Sequence, residues 1–131
     1  MSGIALKRAA STLMSTLGLA MPDNFRHFEA TDPSGRVWNV DFLWIQNAIS
    51  IRHADAVDVK FELSAGAERT TKVVALMHPD LLALREGSGL PVTDPWCSAL
   101  AARHLRRMIE TGEDMEKALV TPGLETLREY A

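Results

Sequence analysis

Four residues, Asp32-Pro33-Ser34-Gly35, constrain the fold of this chain more than any other stretch. Aspartate at the first position, proline at the second and glycine at the fourth suit a type I turn that closes on a left-handed glycine. Such a turn joins the runs 25–31 and 36–45. It sets position 32 against 36, and so 30 against 38, 28 against 40, 27 against 41 and 26 against 42. Side chains alternate between the two faces of a strand. One face of the predicted hairpin then carries Phe28, Ala30, Trp38, Val40, Phe42 and Trp44. The other carries Glu29 beside Asn39 and His27 beside Asp41. Turn chemistry and face polarity point to the same register, and such agreement between levels is what lets a local sequence specify a structure.

After a turn predicted at Gln46-Asn47, residues 49–63 alternate again, and charge interrupts the alternation at its centre. The odd positions read Ile49, Ile51, His53, Asp55, Val57, Val59, Phe61 and Leu63, so His53 and Asp55 fall on the line that should be apolar. Strands usually run three to ten residues, so a bend or bulge is expected at 53–56, dividing the run into two segments. A loop around Gly66 leads to a further strand over 69–77. A three-residue loop, Gly66-Ala67-Glu68, keeps the apolar faces aligned and pairs Phe61 with Val73, Val59 with Ala75 and Glu62 with Lys72. A loop centred on Gly66 would oppose Lys60 and Lys72, an unfavourable like-charge pair.

The period then becomes helical. Pro79 suits the first turn of a helix over 80–86 that Gly87 ends. Asp94-Pro95 is an N-cap followed by proline, and the helix it starts runs to Thr111, with Gly112 as its stop. Its apolar stripe is Cys97, Leu100, Ala101, His104, Leu105, Met108 and Ile109. Short helices are expected over 113–119 and 123–130. At the other end, Leu6, Ala10, Leu13, Met14 and Leu17 mark an N-terminal helix over 4–17 that Gly18 stops. The expected fold class is α+β: an antiparallel meander of about five strands, with an N-terminal helix and C-terminal helices packed on one face. Residues 1–131 read as one domain, with 1–21 an N-terminal helix or arm, 25–77 the sheet and 79–131 the helical part.

A chain of 131 residues buries enough surface to fold without metal or disulfide. Its single cysteine, Cys97, suits a reducing compartment, so a cytoplasmic location is expected. A formal net charge of −3 gives no global attraction for nucleic acid or anionic lipid, and no apolar run approaches the ~18 residues of a membrane span. Neither nucleic acid nor membrane is an expected partner. Lys7 and Arg8 before an apolar stretch, with Gly18-Leu19-Ala20 behind it, also fit a removed signal peptide. Ser11, Thr12, Ser15 and Thr16 within that stretch favour a retained amphipathic helix.

Two His-x-Asp pairs carry the candidate chemistry, His53-Ala54-Asp55 and His78-Pro79-Asp80. With Asp58 or His27 they offer imidazole and carboxylate ligands to a divalent metal. The plainer readings are a solvated bend for the first and a helix start for the second, where Asp80 complements the dipole. His104 lies on the long helix's apolar face. A hydrogen-bonded core histidine is the plainer reading, and catalysis there would need an acidic orienter such as Asp41 or Asp55. Arg103, Arg106 and Arg107 share one face, with Glu110, Glu113 and Asp114 close behind to neutralise them. Trp38, Phe42 and Trp44, with Trp96 on the covering helix, suit core packing, a pocket for a small apolar ligand or a dimer surface. No nucleophile elbow, phosphate loop or zinc-type cysteine pair is present.

The reading that follows is a small non-catalytic binding or protein-interaction domain without a cofactor, self-associating as a homodimer. The alternative is a small enzyme or metal-dependent protein that uses His53 and Asp55, with His27, Asp41 or His104 in support.

Overall fold

The computed structural model describes residues 25–48 and 56–130. Five strands form one sheet in sequence order: β1 (His27–Thr31), β2 (Val37–Ala48), β3 (Ala56–Ala65), β4 (Glu68–Met77) and β5 (Leu119–Val120). Three helices lie between or after them: α1 (His78–Arg85), α2 (Asp94–Thr111) and α3 (Leu124–Arg128). The fold is α+β and the sheet mostly antiparallel. The predicted helix over 4–17 lies outside the described residues, as do residues 53–55 of the predicted bend.

The hairpin forms in the predicted register, with His27 opposite Asp41, Phe28 opposite Val40 and Ala30 opposite Trp38. Its turn is tied by Asp32. One carboxylate oxygen accepts from the Ser34 backbone N–H at 2.9 Å, the Ser34 hydroxyl at 2.7 Å and the Arg36 backbone N–H at 2.9 Å. The other accepts from the Trp38 indole at 3.2 Å. The Ser34 hydroxyl and these further donors hold the carboxyl down at about 2. Gly35 closes the turn at φ +92°, a conformation that glycine adopts without strain.

Four expectations fail along the sheet. Gln46 and Asn47 are not a turn; they continue β2, opposite Asp58 and Val57. The register of β2 on β3 shifts between Phe42 and Trp44. That bulge sends Trp44 to the opposite face from Phe42, and Ile45 packs against the core in its place. Third, β3 and β4 join through the two residues Gly66 and Ala67, with Ala65 opposite Glu68. Gly66 has φ +61° at the first central position, as a type II′ hairpin turn needs. The register therefore sits one residue from the predicted one, with Phe61 opposite Lys72 and Lys60 opposite Val73. The predicted odd loop length rested on aligning the apolar residues Phe61 with Val73 and Val59 with Ala75, and the observed turn instead puts Lys72 on the apolar face. Fourth, residues 49–55 lie outside the described residues, and the fifth strand of the described sheet comes from elsewhere in the chain. It is Leu119–Val120, paired in parallel with Val73 and Val74, where a short helix over 113–119 was expected. The meander is therefore mixed.

The helices cover one face. Thr93, rather than Asp94, is the N-cap of α2, its hydroxyl accepting from the Trp96 N–H at 3.3 Å. Gly112 ends the helix in the left-handed region at φ +79°. Cys97, Leu100, Ala101, Leu105, Met108 and Ile109 of the predicted stripe are buried against the sheet. They meet Val40, Val59, Phe61, Leu63, Val74 and Leu76, all fully buried. Each such side chain contributes about 1.5–3 kcal/mol by leaving water. Leu81 of α1 and Leu127 of α3 complete the same core.

Candidate functional site

A lysine is built into that core. Lys72 is 4% exposed, and its ammonium donates to the backbone oxygens of Met115 at 2.7 Å and Lys117 at 2.6 Å. These carbonyls belong to the segment between α2 and β5. The buried cation thus fastens that segment to the sheet, next to the Val73 N–H bond to Ala118 O at 2.8 Å. Burial pulls the Lys72 pKa down, and Glu116 opposes that. The geometry is that of a structural clamp, since both of its acceptors are backbone carbonyls of this chain.

His104 is engaged by the C-terminal segment. Its Nδ1 lies 2.9 Å from the Tyr130 hydroxyl, and the rings meet edge to face. Arg107 reaches Glu129 at 2.6 Å and Tyr130 at 3.5 Å, and Arg103 donates to the Tyr130 backbone oxygen. Burial lowers the His104 pKa, with Arg107 adding to it against Asp114 and Glu113. Burial raises that of Tyr130, against Arg107. Arg106 lies over the Phe28 ring. The arginine face is thus partly spent on holding α2 to the segment after it and to β1. The tyrosine was not singled out in the sequence; its place near the end of a short helix gave no local sign that it reaches back to α2.

The remaining predicted residues divide. His53 and Asp55 lie outside the described residues. His27 and Asp41 do come together, at 2.7 Å, on the exposed side of the hairpin. His78 opens α1 and lines a cleft of about 210 Å³ with Asn47, Val57, Leu82, Asp94 and Cys97. Asp94 is the first residue of α2, so both helices begin at this cleft. Cys97 at its wall is buried, and burial pushes its thiol up to about 11, which makes it a poor nucleophile near neutral pH. Among the described residues, no three His, Cys, Asp or Glu side chains gather closely enough to hold a metal ion.

The sheet's second face is the largest feature the sequence did not single out. No helix among the described residues lies on it. Register aligns a row across four strands, Trp44, Lys60, Val73 and Leu119. Lys60 lies 5.6 Å from the Trp44 ring centroid. Trp44 is 37% exposed and Leu119 56%, and Leu43 at the bulge is 44% exposed. The next row holds Gln46, Asp58 and Ala75. Burial raises the Asp58 pKa, and Asp58 makes no ion pair among the described residues. Towards the other end of the strands the face turns polar, with Asp41, Glu62, Arg69 and Thr71.

No protein-family model matches the chain, and no curated protein or solved structure is significantly similar to it. No helix among the described residues is long and apolar enough to cross a membrane.

Proposed function

We propose that this chain is a single small binding domain that associates with a second copy of itself through the open face of the sheet. The observation that carries the reading is the row Trp44, Lys60, Val73, Leu119, exposed at Trp44 and Leu119 and half-buried at Lys60 and Val73, on a face that no described helix covers. A contiguous exposed apolar patch marks an interaction surface more often than scattered apolar residues do. The row is also self-complementary. A two-fold axis along the strands sets Trp44 against Leu119 of the second copy and the Lys60 stem against its Val73, with no like charges opposed. Strands of 5, 12, 10, 10 and 2 residues, at ~3.3 Å rise and ~4.8 Å spacing, give a face of about 600 Å². That is the low end of what each partner of a standard interface contributes, about 800 Å² on average. The compartment is cytoplasmic in this reading, in keeping with the free buried thiol of Cys97.

Sedimentation equilibrium tests it. The full chain should dimerise with a measurable Kd, and Trp44→Glu with Leu119→Glu should abolish the dimer. A wild-type chain that stays monomeric at every concentration, or a dimer that both substitutions leave intact, would contradict the reading.

One observation favours the enzyme or metal-dependent alternative. Asn47 and Val57, which line the cleft beside His78, stand next to the two ends of the connection that carries His53 and Asp55. Calorimetric titration with Zn²⁺ or Mn²⁺ decides it: stoichiometric uptake that His53→Ala with Asp55→Ala removes would establish this alternative.

A further inference from the structure

One half-buried carboxylate of the open face, Asp58, makes no ion pair among the described residues. It sits at the centre of the row Gln46, Asp58, Ala75, directly beside the row that carries Trp44 and Leu119. Its neighbours explain its isolation. Gln46 of β2 and Ala75 of β4 stand opposite it, and Trp44, Val73 and Met77 lie on the diagonals. None of these side chains is charged, and β5 adds only Leu119 to the neighbouring row. The nearest charge is Lys60, two residues along β3, whose ammonium lies over the Trp44 ring. Further along the face, Glu62 reaches Arg69 at 3.4 Å, and Asp41 opposite Glu62 pairs with His27 at 2.7 Å. Burial raises the Asp58 pKa, with no hydrogen bond to lower it again.

The two-fold arrangement along the strands lays β3 of one copy over β4 of the second. Asp58 then faces Ala75 of the second copy, and no cation stands across from it. Stacked sheets lie about 10 Å apart and neighbouring strands ~4.8 Å apart, so the Cα atoms of the two Asp58 residues stand about 11 Å from each other. Lys60 of the second copy is one row further, at about 13 Å. The second copy therefore takes water from Asp58 and brings a like charge nearer than an opposite one. Both effects disfavour the ionised carboxylate. A carboxylate buried without a partner takes up a proton rather than bear the cost of its charge.

We propose that Asp58 makes the self-association pH-sensitive: the dimer tightens as the Asp58 carboxyls of both copies take up protons. This rests on the reading of the open face as the self-association surface, and it adds the regulation of that surface. The carboxyl holds its proton more tightly in the dimer than in the monomer, so association is strongest at low pH. It weakens as pH rises from the monomer value, which already lies above 3.8, through the dimer value. A further rise of about 0.5 at each of the two sites changes Kd about tenfold.

Sedimentation equilibrium of the full chain at about pH 7.5 and about pH 5 separates this inference from the function it builds on. The wild-type dimer should be at least about tenfold tighter at the lower pH. Asp58→Asn keeps the size of the side chain and removes its charge. Its Kd should differ little between the two conditions and should lie about tenfold below the wild-type Kd at the higher pH. Asp58→Ser should also lose the pH response. The urea midpoint of both variants should stay close to that of the wild type, since Asp58 has no ion pair to lose. A wild-type Kd that is the same in both conditions would overturn the inference while leaving self-association in place. A pH response that both variants retain would assign it to another titrating group and would also overturn it. So would an Asp58→Asn dimer weaker than the wild type at the higher pH, because the carboxylate would then be attracting the second copy. A wild-type chain that is monomeric in both conditions would overturn the function and the inference together.

Discussion

The two faces of the sheet are made from the same strands and differ in almost everything else. The covered face carries Val40, Val59, Phe61, Leu63, Val74 and Leu76 at zero exposure beneath α2. The open face carries Trp44, Lys60, Val73 and Leu119, mixed with Asp58 and Glu62. Alternation along β3 is clean, each buried residue followed by a half-exposed one. Successive residues of the same strands therefore serve opposite faces. The fully buried core lies on one side, and the surface left uncovered by described helices lies on the other. The covered face has a charged exception, the buried Lys72.

The largest effects should come from the covered face. Leu105→Ala should cost about 2–5 kcal/mol in chemical denaturation, the range for a leucine removed from a closed core. A loss below about 1 kcal/mol would mean that the site collapses around the gap. Lys72→Ala should cost about 2–3 kcal/mol, because the Met115 and Lys117 carbonyls lose a charged donor. Lys72→Met should recover part of that through its aliphatic body. An alanine variant as stable as the wild type would show that water replaces the ammonium there.

Two pH responses sharpen the contrast further. Burial lowers the His104 pKa, so the folded state holds its proton less tightly than the unfolded chain. Its contribution is present above the ordinary value of 6.5 and is lost as pH falls through the folded value. His104→Gln should flatten the stability profile just below pH 6.5. Asp32 behaves in the same direction at lower pH. Its carboxyl is held at about 2 in the folded state, so its contribution is present above 3.8 and is lost as pH falls towards 2. Asp32→Asn should remove that part of the acid transition. Profiles that superimpose on the wild type would contradict both assignments. The smallest effect belongs to the open face: Trp44→Glu should change stability by about 1 kcal/mol or less, the scale of a surface site. A larger loss would mean that Trp44 supports the fold as well as the surface.

How far the sequence reached depends on how local the deciding contact is. The hairpin was legible because Asp32, Ser34, Arg36 and Trp38 settle its register within seven residues of chain. The long helix was legible because its stripe and its Gly112 stop are local as well. The β3–β4 register was not. Lys72 is acceptable opposite Phe61 only because two carbonyls from 43 and 45 residues away satisfy it. The rule that lysines stay exposed pushes the other way. β5 is two residues long, and pairing with Val73 and Val74 makes it a strand, so its own sequence carries almost no strand signal. The bulge that turns Trp44 outward has no glycine or proline to announce it. Of the candidate site residues, the pair His27 and Asp41 followed from the hairpin register. The contact of His104 with Tyr130 needed the C-terminal segment to be placed first.

The central claim is that the open face binds and does not hold the fold. Its most direct test is sedimentation equilibrium of the full chain carrying Trp44→Glu and Leu119→Glu, paired with its urea unfolding curve. The account predicts a monomer whose unfolding midpoint, extrapolated to the same monomer state, stays close to that of the wild type. A variant that dimerises with the wild-type Kd would contradict it.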